Sequence, residues 1–201
     1  MKAVVDDDLG APRTVLSGTL RDGLRVVIRS LVPADRDDVE HGFGELSERT
    51  KNLRFMTGKD HLSKRTLDSL VDDVDQHDHV AVAMWWERSS QADVLLGEGR
   101  FIRLVDDPEC ADVAVTMADE LHGQGGGTLL MKALVLRARE EGLRRFSAAM
   151  SPENEPSHRL MRRVGTVLRD VVRDGEREVV VEIPDATAQG SRTRLSEPQN
   201  P

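Results

Sequence analysis

Apolar residues change their spacing several times along the chain, and each change predicts an element. Leu24–Ile28 is a β-rich run behind Leu20-Arg21-Asp22-Gly23, a tight turn in which glycine can take positive φ. Pro33 to Leu46 opens with proline and first-turn acids, which signal a helix start, although Gly42 and Gly44 weaken it. Ser63 is placed to cap a second helix, where Leu67, Leu70, Val71 and Val74 recur at helical spacing. Val80–Trp86 is a nearly continuous apolar run. Val94–Leu104 continues the strand pattern after a polar turn at Ser89 and Ser90, and Asp106-Asp107-Pro108 marks another turn.

In Val113–Met117 the larger apolar side chains alternate, so one face is buried while Asp112 and Thr116 face the other way. Leu129–Arg139 is apolar around most of its circumference, with Lys132 and Arg139 marking a wet side, which suits a helix packed on a sheet. Arg145–Met150 returns to strand, Glu155–Val164 predicts a short helix, and Val167–Val172 pairs with Glu178–Ile183 across Asp174-Gly175. Interleaved strands and helices with a closing hairpin predict an α/β or α+β fold around one mixed sheet.

The ends have a different character. Residues 1–17 are short and polar, and the tail 184–201 has almost no apolar content, so both are expected to be flexible around one domain at 18–183. With 38% hydrophobic and only 3% aromatic residues, the core must be largely aliphatic. Twenty-eight basic against 36 acidic residues give a net charge of −8, which argues against a general nucleic-acid or anionic-membrane binder. No apolar stretch approaches the roughly 20 residues of a membrane span. The N-terminus lacks a secretory core, and a single cysteine excludes an internal disulfide. These features predict a cytoplasmic protein. Whether it is a monomer or a homodimer they leave open.

The most informative segment is Ala118-Asp119-Glu120-Leu121-His122-Gly123-Gln124-Gly125-Gly126-Gly127-Thr128, between a strand and a helix. Closely spaced glycines let backbone N–H groups approach an anion, and the helix N-terminus adds positive potential. A phosphate-binding loop of the NTPase type needs lysine where Gly127 stands. A dinucleotide fingerprint starting at Gly123 fails because Thr128 replaces its last glycine.

His122 to Gly127 resembles the acyl-CoA pyrophosphate loop of the GNAT superfamily of N-acyltransferases, Gln/Arg-x-x-Gly-x-Gly/Ala, with histidine in the first place. The strand Ala111–Asp119 before it is similar to the family too, as are Ser151-Pro152-Glu153-Asn154-Glu155-Pro156-Ser157 and Arg162-Arg163-Val164-Gly165 downstream. Leu20–Gly23 through Arg29, Pro33-Ala34-Asp35 and Leu53-Arg54-Phe55 resemble the GNAT domain of bacterial protein-lysine acetyltransferases. The resemblance covers residues 18 to 183 and implies the GNAT fold, a mixed, mostly antiparallel sheet flanked by helices.

It implies acetyl-CoA as cosubstrate, no metal, and a lysine-bearing protein or small-molecule amine as acceptor. Val115, Thr116 and Met117 would present backbone groups to the pantetheine arm where their strand splays from its neighbour. Gly123, Gln124, Gly125, Gly126, Gly127 and Thr128 would hold the pyrophosphate. Asn154 would contact or orient the arm, and Arg163 is either a phosphate partner or a solvated helix position. The resemblance makes Asp112, where the family commonly carries glutamate, the general base that takes the proton of the acceptor amine. Glu98, between Gly97 and Gly99, is the second candidate; its glycines predict a bulge or close approach. The Met117 N–H is the expected donor to the thioester oxygen. Many GNAT enzymes protonate the departing thiolate with a tyrosine. This chain has none, leaving Ser157 as a candidate donor and a non-catalytic acyl-CoA-binding module as the competing reading.

Other reactive side chains carry less. Cys110 is read as an ordinary strand-edge cysteine rather than a nucleophile, and His77-Asp78-His79 as a polar loop before a strand. Trp85 and Trp86 alternate faces, one in the core and the other toward an acceptor groove.

Overall fold

A computed structural model describes residues 12–55, 62–87 and 94–185. The turn at Ser89 and Ser90 and most of the two expected flexible ends lie outside the described residues. In chain order the elements are β1 (Thr14–Thr19), β2 (Arg25–Ser30), α1 (Arg36–Glu45), α2 (Glu48–Phe55) and α3 (Lys64–Val71). Then follow β3 (His79–Trp86), β4 (Val94–Leu104), β5 (Asp107–Met117), α4 (Gly126–Glu140), β6 (Arg145–Met150), α5 (Glu155–Met161), β7 (Val167–Arg173) and β8 (Glu176–Glu182). Short 3-10 turns at Pro33–Asp35 and Asp119–Leu121 lead toward α1 and α4.

The strands form one sheet in the order β1-β2-β3-β4-β5-β6-β8-β7. Every neighbouring pair is antiparallel except β5 and β6, which run parallel. The chain reaches β6 from β5 through α4, the crossover that a parallel pair requires. The hairpins turn where sequence chemistry allows: Gly23 stands at φ +92°, and Asp174 and Gly175 at +51° and +81°.

The continuous apolar run of β3 reflects burial on both faces. Val80, Val82 and Met84 join α4 residues Leu130, Ala133 and Leu134 and the rings of Phe101 and Phe146 in one core. Ala81, Ala83 and Trp85 point the other way, against Val39 and Phe43 of α1 and Leu67 and Val71 of α3. Trp86 packs against the α4 core rather than facing an acceptor groove.

The structure corrects several boundaries. β1 starts at Thr14, ahead of the expected boundary at Gly18, because pairing with β2 orders it and Val15 and Leu16 pack on the α4 core. Gly42 does not end α1; its bare Cα lets Leu95 lie close, where a Cβ would stand 3.3 Å from the leucine. α2 has no apolar stripe to betray it, and its first turn is held by Ser47, whose Oγ accepts from the Thr50 N–H at 3.3 Å. Ser63 caps α3 as expected, accepting from the Thr66 N–H at 3.1 Å. The register jumps from Leu104–Asp107 to Arg103–Ala111, so Pro108 falls in a bulge where its missing N–H breaks no ladder bond. α5 ends at Met161 rather than Val164. On α4 the exposed side carries Lys132 and Leu136, while Arg139 is half-buried and donates to the Pro184 carbonyl at 2.8 Å.

Candidate active site

β5 and β6 run side by side at only three positions, Cys110–Arg145, Ala111–Phe146 and Asp112–Ser147. Beyond Asp112 the two strands part, while β5 stays paired with β4 through Met117. A wedge-shaped gap therefore opens along about 17 Å of β5, from Asp112 to Met117. The Ala118 N–H donates to Leu96 O at 2.9 Å, toward β4. Successive residues alternate edges, so the backbone groups of Thr116 also face β4, and those of Val115 and Met117 face the gap. Consistent with this, Thr116 O lies 2.6 Å from where a Cβ on Gly97 would stand. Of the three residues expected along the arm, Val115 and Met117 thus turn their backbone groups to the gap, while those of Thr116 belong to the β4 ladder.

At the open end of the gap the chain folds into the glycine-rich loop. Gly123 and Gly125 take φ of +79° and +95°, which side chains rarely adopt. Gly126 packs against Met117, whose flexible methyl end would have to move for a Cβ that would stand 2.5 Å away. The Gly125 carbonyl accepts from Thr128 and Leu129 N–H at 3.1 and 3.2 Å, and Gln124 N–H is spent on Leu121 O. The N–H groups of Gly123, Gly125, Gly126 and Gly127 make no hydrogen bond among the described residues. Two of these open α4, where N–H groups have no intrahelical partner and the helix adds positive potential. Such an arrangement can hold an anion. Gln124 and Thr128 shape the loop through their own bonds, and His122 is exposed at its rim.

Two anchors of this loop escaped the sequence reading. Asp119 accepts from Ser47 N–H, Ser47 Oγ and Thr50 Oγ1 at 2.8, 2.8 and 2.6 Å, tying the loop to α2. Partial burial raises the Asp119 pKa, but these donors and His122 outweigh it and leave the carboxyl below its ordinary range. Arg21, read only as a turn residue, donates its N–H to Gln124 O at 3.0 Å and Nη1 to Gly123 O at 2.9 Å. Neither contact carries a local sequence signal, because each joins segments far apart in the chain.

The two candidate bases have different surroundings. Asp112 is exposed at the vertex of the gap, with Ser147 Oγ 3.4 Å from its Oδ1. Glu98 pairs in register with Thr116, about 13 Å farther along the sheet. Its carboxylate takes both Nε (3.2 Å) and Nη2 of Arg100, and the two side chains are only 15% and 5% exposed. Arg100 also donates Nη1 to His79 Nε2 at 3.2 Å, which requires a neutral imidazole. Burial first, then the Arg100 charge, hold the His79 pKa below its usual value. The bulge expected near Glu98 exists, since Met84 pairs with Gly97 but Trp85 with Leu95, leaving Leu96 extra. On this side, Glu98 and Thr116 line a small cavity with Phe43, Leu46, Leu70 and Leu95.

Asn154 is buried and caps α5, accepting from the Ser157 N–H at 3.2 Å; its side-chain NH2 makes no hydrogen bond among the described residues. Ser157 is half-buried in the first turn of α5. Leu160 lies against Gly127, at 3.7 Å from a Cβ there, and Arg163, two residues beyond the end of α5, is exposed. Cys110 is buried, and desolvation followed by nearby Asp107 raises its thiol pKa. His77, Asp78 and His79 go separate ways, to Glu141, Arg103 and Arg100.

Residues 25–167 match the family model described as acetyltransferase (GNAT) domain. The chain belongs to the GNAT acetyltransferase family. It is 29% identical over 159 residues to acetyltransferase Pat of Mycolicibacterium smegmatis, covering 79% of this chain and 46% of Pat. This GNAT chain thus spans about half the length of that relative. It is 31% identical to acetyltransferase PA5475 of Pseudomonas aeruginosa, over 74% of this chain and 78% of the relative. The GNAT domain of S. lividans PAT superposes with a TM-score of 0.74 at 23% identity, covering 84% of this chain and 96% of that domain. The structure of yncA from Salmonella typhimurium with its cofactor acetyl-CoA superposes at 0.62 and 16% identity, covering 80% and 95%. The mixed eight-stranded sheet flanked by helices is the fold of these GNAT structures.

Proposed function

We propose that this GNAT protein transfers an acetyl group from acetyl-CoA directly to a lysine amine of a protein substrate in the cytoplasm. The observation that carries the reading is the gap between β5 and β6, with backbone groups of Val115 and Met117 along it and four unpartnered amides at its open end. A pantetheine arm that continues the sheet and a diphosphate that needs amide donors fit those two features. The resemblance of the sequence to lysine acetyltransferases and the likeness to relatives named Pat support a protein acceptor.

Acetyl-CoA supplies an activated acyl carbon. Asp112, at the vertex, takes a proton from the acceptor ammonium, directly or through water, and so frees the lone pair that attacks. The N–C bond forms, the C–S bond breaks, and the nitrogen sheds its second proton, which the departing thiolate takes up to leave as the thiol. The Met117 N–H, about 17 Å along β5 from Asp112, faces the pantetheine arm rather than the reacting carbonyl. Asn154 orients the arm, and Arg163 serves as a phosphate partner. Ser157 is the side chain available to protonate the thiolate, whose conjugate thiol has a pKa near 8.5 and needs little help. Glu98, committed to Arg100, keeps that buried guanidinium neutralised instead. Asp112 is therefore preferred as base.

The test is thiol release from acetyl-CoA with a lysine-bearing protein and, separately, a panel of free amines. Turnover on the protein, with the acetyl group located on lysine by mass spectrometry, is expected. Faster turnover on free amines would make the acceptor a small molecule. Saturable acetyl-CoA binding without thiol release would leave a non-catalytic binding module, and an acyl group trapped on Cys110 would end the direct mechanism.

A further inference from the structure

We propose that Arg21 is a positioning residue for the anion loop and a cation that stands behind it. The inference rests on the acetyl-CoA reading and assigns a new role within it. The four amides of the loop serve an anion only if the neighbouring carbonyls turn away from it. A trans peptide points its C=O and N–H in opposite directions, so holding one aims the other. Arg21 N–H holds Gln124 O at 3.0 Å, which turns the Gly125 N–H outward. The Arg21 guanidinium holds Gly123 O at 2.9 Å. The third carbonyl, on Gly125, is held by the first turn of α4.

Glycine-flanked peptides flip readily, because glycine occupies both signs of φ. Gly123 already sits at +79°, and a Cβ there would meet nothing within 4 Å, so packing does not restrain it. The peptide that carries its carbonyl is held from both sides, by the guanidinium on Gly123 O and by Leu121 O, which accepts from Gln124 N–H at 3.2 Å. A flip would turn that carbonyl toward the diphosphate and set two negative ends against each other. Arg21 forms no ion pair among the described residues, so its charge is available to an anion at the loop. The turn Leu20–Leu24 holds it in place: Leu20 N–H donates to Leu24 O at 2.9 Å and Gly23 N–H to Leu20 O at 3.0 Å.

Calorimetric Kd values for CoA and for pantetheine, which lacks the diphosphate, test the role in wild type, Arg21→Ala and Arg21→Gln. Arg21→Ala should weaken CoA about tenfold, the effect of one charge-assisted hydrogen bond, and leave pantetheine unchanged. With turnover, KM for acetyl-CoA should rise while kcat holds. Arg21→Gln, which keeps a donor for Gly123 O, should recover part of the loss. Unchanged CoA affinity in Arg21→Ala, or equal losses for both ligands, overturns the role. Wild-type protein that binds no CoA overturns the acetyl-CoA reading itself.

Discussion

Asp112 and Ser147 form the last rung shared by β5 and β6, with Ser147 Oγ 3.4 Å from Asp112 Oδ1. The proposed base therefore stands where the sheet opens, at the inner end of a gap whose outer end is the anion loop. Asp112→Asn keeps the size of the side chain and removes its basicity. Expected is a loss of about 10²–10⁴ in kcat, with CoA affinity and melting temperature unchanged. Full activity in the asparagine variant would remove Asp112 from the mechanism.

Glu98 predicts the opposite pattern. Its carboxylate neutralises a guanidinium that is 5% exposed, and breaking such a pair leaves a buried charge uncompensated. Glu98→Ala should destabilise the fold by about 3–5 kcal/mol. Double replacement Glu98→Leu with Arg100→Met should recover much of that loss, because both buried charges are removed together. Denaturant titration reads both. A Glu98→Ala protein with wild-type stability and no turnover would reverse the ranking of the two carboxylates.

Gly125, at φ +95°, is where the loop enters α4. Gly125→Ala puts a side chain in the left-handed region and should cost about 1–2 kcal/mol of stability. The loop has little packing to resist relaxation, so its amides should shift, and CoA affinity should fall more than the affinity for pantetheine. Equal affinities for CoA in the two proteins would show that loop geometry does not control binding.

His79 sets a pH dependence with a definite sign. Its folded pKa lies below the ordinary imidazole value, because burial and then Arg100 oppose protonation. The unfolded chain therefore binds the proton more readily. This contribution to stability is intact above the unfolded pKa of about 6.5 and is lost as pH falls below it toward the folded value. Denaturant titrations at pH 7.5 and 5.5 should show a larger drop for wild type than for His79→Gln. Equal drops would mean that His79 titrates alike in both states.

Cys110 should be silent toward soluble thiol reagents near neutral pH, since it is buried and its thiol pKa is raised. Cys110→Ser should retain turnover, measured by thiol release. Rapid labelling of the native protein, or lost turnover in the serine variant, would reopen a covalent route.

Periodicity and turn chemistry determined most of the elements. The runs Val94–Leu104 and Arg145–Met150 match β4 and β6 to the residue, and Ser63 caps α3, because short-range spacing encodes both strand alternation and helix capping. The glycine pattern located the loop for the same reason: a positive φ is a local demand. What the sequence did not disclose lies in contacts between distant segments. α2 has no apolar stripe, and its tie to Asp119 spans about seventy residues, while Arg21 reaches Gly123 from a turn that needs no arginine of its own. The resemblance already put Asp112 ahead of Glu98 as the candidate base but said nothing of their surroundings. Tertiary structure supplied those surroundings: Glu98 is largely buried in an ion pair with Arg100, and the parting of β5 from β6 leaves Asp112 exposed at the vertex.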